Sequence, residues 1–340
     1  MAAQATPPIV GGYELGGTLG RGGYAKVMIA KKIDTGERYA AKRLDRRRIQ
    51  EEGWEAYVRR EIEALHALSH PSIVKLQEVL LTPASIYIIM ELVEGDELFD
   101  VVSKRRYLDE ESARFYFQQI VSAVHYMHTH AGGLVHRDLK LENVKVTSAG
   151  ICKLLDFGFA RHTGSLLKTA VGTIEYMPPE LFRLQPGQRY DGCAVDVWAM
   201  GVMLFVMVSG GYPFDKRHEP SGFEKRLKGE HAPLPTRISP SCKDLIRRML
   251  TGDPALRIKI PDIMRHPWCT TSQAPTTPPL QAPVTVLPQQ QVAPVPAAPV
   301  VPVPLGVWPL QEFAEPGGVQ VDHMNFDDDE DEEMSDEDDM

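Results

Sequence analysis

The sequence predicts an α+β chain in two lobes, followed by a long stretch that cannot build a core. Three observations predict it. Strand-like runs broken by glycines fill most of residues 13–94, and helical periodicity takes over from Gly95. From Thr270 to Pro309 the composition shifts to Pro, Val, Ala and Gln. Strands first and helices afterwards argue for α+β rather than alternating α/β layers. The expected boundaries are a β-rich lobe over 13–94, a helical lobe over 95–268, a Pro-rich disordered linker over 269–326 and an acidic tail over 327–340.

Taken in order, residues 13–45 read as strands with turns, with “DTG” as a hairpin signal. A helix is expected around 52–68. “SIVKLQEVLL” and “SIYIIMEL” are β-rich runs separated by Thr82-Pro83-Ala84. “DEESARFYFQQIVSAVHYMHTH” opens on Asp109 as a cap and places Ala113, Phe117, Ile120, Val124 and Met127 on one face. A short strand pair flanks “TSAG”, and helices continue to about 268. The apolar run Val197–Val208 suits a buried core helix and is too short to span a bilayer. Dense proline with no charge favours extended coil; “PAAPVVP” fits a P-x-x-P ligand pattern, but without a flanking Arg it reads as a plain spacer.

The net charge of -9 over 340 residues hides an asymmetry. From Cys269 onward there is no Lys or Arg, and 14 of the 46 acidic residues lie there. The first 268 residues therefore carry 37 basic and 32 acidic side chains, a net of +5. A mildly basic body precedes a self-repelling acidic end, “DDDEDEEMSDEDD”. Cys152, Cys193, Cys242 and Cys269 show no paired spacing and read as free thiols of a reducing compartment. The start “MAAQATPPIVGGY” carries no secretory pattern.

“GRGGYAKV” (20–27) is a glycine-rich loop between strands, where backbone N–H groups can approach phosphate oxygens. Lys42 sits on a strand face with Ala40 and Leu44. In the helix around 52–68, Val58, Glu61, Leu65 and Leu68 form the inward stripe. A carboxylate in an apolar stripe costs several kcal/mol unless it finds a cation. Lys42 is the economical partner, and such a pair can also hold nucleotide phosphates. “HRDLKLEN” supplies Asp138 to orient a hydroxyl and accept its proton, Lys140 to neutralise a phosphoryl group, and Asn143 to ligate Mg²⁺. Thirteen residues further on, Asp156 of “DFG” would be the main metal ligand.

The order of these motifs is what makes them specific. Residues 13–268 resemble a eukaryotic protein kinase domain, which implies the bilobal kinase fold. “VGTIEYMPPE” resembles the end of an activation segment, with Pro178 where the family usually has Ala. “DVWAMGV” and “DPALRIKIPDIMRHPW” complete the likeness, and Arg257 would pair with Glu180. Lys140 in “HRDLKLEN” resembles serine/threonine rather than tyrosine kinases. “HPSIVKL”, “MELVEGDELFD” and “IMRHPW” resemble the calmodulin-dependent and AMP-activated kinase group. “GYELGGTLGRGGYAKV” and “SCKDLIRRML” resemble the testis-specific serine kinases within it.

The resemblance implies a protein kinase using ATP and Mg²⁺, with Lys42, Glu61, Asp138 and Lys140 catalytic and Asn143 and Asp156 on the metal. It implies nucleotide contacts from Leu19, Gly20, Gly22, Gly23, Ala25, Val27, Ala40, Lys42, Met90, Glu91, Val93, Glu97 and Lys145. Met90 would be the gatekeeper, and Glu91 and Val93 would bond adenine from the hinge. Ala25 takes the place of the loop's third glycine. Arg137 before Asp138 implies control by phosphorylation at Thr169, with Arg137 and Arg161 clamping the phosphate. Thr173 matches the substrate-facing threonine. Glu97 and Glu142 match positions that attract Arg upstream of the acceptor, so basic residues upstream are favoured.

Lys145 departs from the family, which usually has Leu beneath the adenine. Its ammonium would oppose binding if desolvated. The methylenes can instead lie under the ring with the head in water, or a register change can turn the side chain outward. Two functions stay open: an active serine/threonine kinase, and a pseudokinase scaffold acting through its tail. Expected partners are protein substrates and an upstream kinase acting on Thr169. The acidic tail is expected to meet basic partners or its own domain, for instance at “KRLDRRR”. Neither nucleic acid nor membrane is expected, and the location is cytoplasmic or nuclear.

Overall fold

Hairpin chemistry builds the first lobe. In the computed structural model, which describes residues 7–21, 25–130, 133–162, 167, 171–185, 187–214, 220–271 and 301–302, a short β1 (Ile9–Val10) leads into β2 (Tyr13–Arg21). β3 (Ala25–Lys32) and β4 (Arg38–Asp45) then pair antiparallel across the “DTG” turn. Gly36 closes that turn at φ +74°, where a side chain would be strained. The expected helix is present as α2 (Glu55–Ala67), preceded by α1 (Arg46–Glu51), which the sequence reading passed over. Asp45 caps α1 by accepting the Arg48 N–H. Both β-rich runs form strands, β5 (Leu76–Leu81) and β6 (Ser85–Glu91), and β6 pairs with both β4 and β5.

The second lobe is helical around two buried rods. After β7 (Gly95–Glu97) and α3 (Leu98–Arg105), α4 (Glu110–Thr129) starts on the predicted Asp109 cap, which accepts the Ser112 N–H. Its stripe of Ala113, Phe117, Ile120, Val124 and Met127 is buried, as the periodicity required. The short strands β8 (Leu134–Val135), β9 (Val144–Thr147), β10 (Cys152–Leu154) and β11 (Arg161–His162) follow. β9 and β10 are the expected pair around “TSAG”. α5 (Pro179–Phe182) precedes α6 (Gly192–Ser209), which is long and apolar enough to cross a membrane by composition. Here 89% of that helix is buried inside the lobe, so its apolar surface is satisfied by core packing.

α7 (Pro220–Lys228), α8 (Pro240–Met249), α9 (Ile260–Arg265) and α10 (Pro267–Thr270) complete the lobe. The end of the domain is tied to α4: Arg114 Nε donates to the Trp268 carbonyl at 2.8 Å, and the Trp268 ring stacks edge-on against Phe117. Cys152, Cys193, Cys242 and Cys269 are all free. Within the Pro-rich stretch, β12 (Val301–Pro302) pairs antiparallel with β5, giving the first lobe a sheet of order β1-β2-β3-β4-β6-β5-β12.

Candidate active site

Two buried charges meet where the lobes face each other. β4 turns Lys42 inward beside Ala40 and Leu44, and α2 presents Glu61 in the centre of its apolar stripe. Lys42 Nζ lies 2.5 Å from Glu61 Oε1 and 3.8 Å from Asp156 Oδ1. Burial pushes the Glu61 carboxyl up, against the pull of Lys42. For Asp156, burial also acts upward, but Lys42 and the Gly158 N–H outweigh it and hold the group below the ordinary range. The lysine thus bridges a first-lobe helix and a second-lobe carboxylate.

The loop that carries Asp138 is held from below. Asp196, at the start of the apolar α6, has no exposed surface. Its carboxylate accepts the N–H groups of His136 and Arg137, each at 2.8 Å, and meets His128 Nε2 at 2.8 Å. This anchor holds Arg137 at φ +67°, a strained backbone for an arginine. Burial opposes charge on His128, yet Asp196 and Cys193 raise its pKa to about 9. Asp196 and His128 were not identified as site residues from the sequence. The signal was available: a lone carboxylate opening an otherwise apolar run needs buried donors.

Asp138 is surrounded by donors. It accepts the Thr173 N–H at 2.9 Å and the Thr173 hydroxyl at 2.8 Å, and meets Lys140 Nζ at 2.7 Å. Lys140 also donates to Thr173 Oγ1 at 2.8 Å. Asn143 Nδ2 donates to the Asp138 carbonyl at 2.9 Å and its Oδ2 at 3.2 Å. Gly172, at φ +110°, lets the segment before Thr173 lie against the loop; a Cβ there would sit 2.6 Å from the Arg137 carbonyl oxygen. Arg257 forms the predicted pair with Glu180, bidentate at 2.7 and 2.9 Å.

The two arginines expected at the phosphate each have protein partners. Arg137 Nε donates to the Phe159 carbonyl at 2.8 Å and Nη1 to the Tyr190 hydroxyl at 3.1 Å. Arg161 stacks over the Tyr57 ring of α2 at 5.1 Å. Thr169 lies outside the described residues, as do Gly22 and Gly23. Of the remaining loop and pocket positions, Leu19 and Gly20 are exposed, Ala25 and Val27 half-buried, and Ala40 and Met90 buried. Glu142 accepts the Tyr176 hydroxyl at 3.1 Å.

Lys145 keeps its register opposite Lys153 on β10 and Glu97 on β7, so no slip turns it out. Half-buried, its ammonium donates to the Val93 carbonyl of the expected hinge at 3.4 Å. Burial and neighbouring Asp100 raise the Glu97 pKa, and Lys145 opposes them. Lys153 holds the Glu91 carboxylate at 2.9 Å, a second hinge contact that sequence reading missed.

Fold and site together define a protein kinase. A protein kinase domain model matches residues 13–269, and the chain belongs to that family. It is 43% identical over 262 residues to an SNF1-related protein kinase catalytic subunit alpha, KIN12, of Arabidopsis thaliana, covering 76% of this chain and 52% of that protein. It is 40% identical over 275 residues to CBL-interacting protein kinase 1 of Oryza sativa subsp. japonica, covering 79% and 58%. A rice serine/threonine protein kinase, OSK3, is 43% identical over 258 residues, covering 75% and 50%. The chain therefore spans little more than half the length of these relatives. They place it in the calmodulin-dependent and AMP-activated group of serine/threonine kinases, a family that uses ATP with Mg²⁺.

Proposed function

We propose that this chain is a working kinase that transfers the γ-phosphoryl group of ATP to serine or threonine hydroxyls of proteins. The observation that carries this reading is the closed Lys42–Glu61 pair, at 2.5 Å, with Asp156 within reach of the same ammonium. Such a pair must be assembled for phosphoryl transfer in protein kinases. Asp138 orients the substrate hydroxyl and takes its proton. Lys140, already between Asp138 and Thr173, balances charge on the oxygens in transfer.

The residues also fit the metal. Asp156 offers a carboxylate at the cleft, and Asn143 spends its amide nitrogen on Asp138, which leaves its oxygen available. Two hard oxygen ligands suit Mg²⁺, which takes its others from phosphates and water. When bound, Mg-ATP supplies the phosphoryl group and the counter-charge. Val27 and Ala40 cover the base, Met90 gates it, and Glu91 and Val93 offer backbone groups to its edge. Glu97 and Glu142 favour basic residues upstream of the acceptor, and phosphorylation of Thr169 raises activity.

The test is incorporation of labelled phosphate into a basic peptide by the wild type and by Asp138→Ala. Incorporation lost in the variant supports the proposal; none by Thr169-phosphorylated wild type sinks it. One observation favours the scaffold reading: the Lys145 ammonium occupies the Val93 carbonyl. That reading predicts no thermal shift with Mg-ATP. The split between a +5 body and fourteen acidic tail residues further supports competition of the tail with basic substrates. Removing residues after 268 should raise activity at low salt and lose that effect at high salt.

A further inference from the structure

We propose that the Pro-rich stretch carries a built docking strand: Val301–Pro302 seats in cis on the outer edge of β5, completing the first-lobe sheet and bracing the strand behind α2. The pairing register is Val301 opposite Leu81 and Pro302 opposite Leu80.

The hydrogen-bond parity of β5 explains why this dipeptide fits. Thr82 N–H donates to the Ser85 carbonyl at 2.9 Å, and Arg46 N–H donates to the Ala84 carbonyl at 3.1 Å. Ser85 therefore faces β5, whereas Ile86, next in the strand, faces β4. Leu81, opposite Ile86, must then turn its own N–H and C=O away from β6, toward the outer edge. Unpaired, these groups would form an open sheet edge of the kind proteins avoid.

Val301 has an N–H to give and lies opposite the outward-facing Leu81. Pro302 falls at the alternate position, where its nitrogen points away from β5 and the missing N–H costs nothing. A proline there also blocks any further strand from adding. The sequence continues the alternation with Val303 and Pro304. A plain spacer needs no such phase between valines and prolines.

Reach is not a constraint. Val301 lies thirty positions after Thr271, a span of about 30 Å as a coil and up to about 100 Å extended. The consequence lies in the packing. Val79 and Leu81 of β5 share one buried cluster with Val58, Ile62 and Leu65 of α2, the helix that carries Glu61. Docking at the edge thus steadies the support of the Lys42 partner, independently of whether the protein transfers phosphate.

Hydrogen–deuterium exchange on the full chain tests this. The Leu81 amide, which the Val301 carbonyl accepts in this pairing, should exchange about fivefold more slowly in the wild type than in full-length Val301→Pro, which removes the reciprocal N–H and so loosens the docked strand. A chain ending after Thr271 should match the variant, and amides within α6 should be unaffected. Equal Leu81 exchange in wild type and Val301→Pro overturns the proposal. Protection that appears only with rising protein concentration, alongside a dimeric mass, also overturns it, because the strand would then come from a second copy.

Discussion

Asp196 accepts the backbone N–H of Arg137 at 2.8 Å while Arg137 is held at φ +67°. The strained turn places the next residue, Asp138, among Thr173, Lys140 and Asn143. A left-handed arginine costs about 1–3 kcal/mol, so it persists only because its surroundings over-determine it. The buried carboxylate of Asp196 is that constraint, and His128 supplies its counter-charge.

Asp196→Ala should therefore damage both fold and chemistry. It strands two buried N–H groups and an imidazole, which costs about 3–5 kcal/mol. Urea unfolding should report that loss. In protein that still folds, kcat should fall about a hundredfold through the displaced Asp138.

His128 makes stability depend on pH. Its folded pKa of about 9 lies above the ordinary 6.5, so the native state binds the proton more tightly. The stabilisation is complete below pH 6.5 and disappears as pH rises through 9, with a size of roughly 3 kcal/mol. Unfolding free energies measured at pH 6 and pH 9.5 should differ by less in His128→Gln than in the wild type.

The Lys42–Glu61 pair should separate stability from activity. Lys42→Met leaves an uncompensated buried carboxylate and should cost about 3–5 kcal/mol. Adding Glu61→Leu removes that charge and should recover most of the loss. Both proteins should be inactive toward a basic peptide, so calorimetry and phosphate incorporation will part company in the double variant.

Lys145→Leu should tighten nucleotide binding. It frees the Val93 carbonyl and removes a positive charge from beside the expected adenine position. Titration calorimetry should find Mg-ATP bound about tenfold more tightly, worth about 1.4 kcal/mol. Weaker binding would mean that the lysine assists the base.

Much of the site could be read directly. Glu61 was legible because a carboxylate in the middle of an apolar stripe needs a cation, and Lys42 was the strand lysine placed among small neighbours. Arg257 and Glu180 met as the family resemblance implied. Other features were not legible for definite reasons. α1 hides in “RRRIQE”, six residues with little periodicity, whose start depends on the Asp45 cap. Lys145 could be placed on a strand face, but the reach of a four-carbon side chain toward Val93 depends on where the hinge lies. The contacts of Arg137 with Phe159 and Tyr190 join residues from separate parts of the chain, and no local pattern announces them.

By itself the sequence determined the two-lobed class, the order of the motifs and the chemistry each residue type can perform, because periodicity and side-chain chemistry are local properties. The tertiary structure alone decided which distant groups meet: Asp196 beneath the catalytic loop, Lys145 at the hinge carbonyl, Val301 on the edge of β5. Those choices follow from the packing of whole elements, where a buried donor or acceptor takes whatever partner the fold brings within about 3 Å.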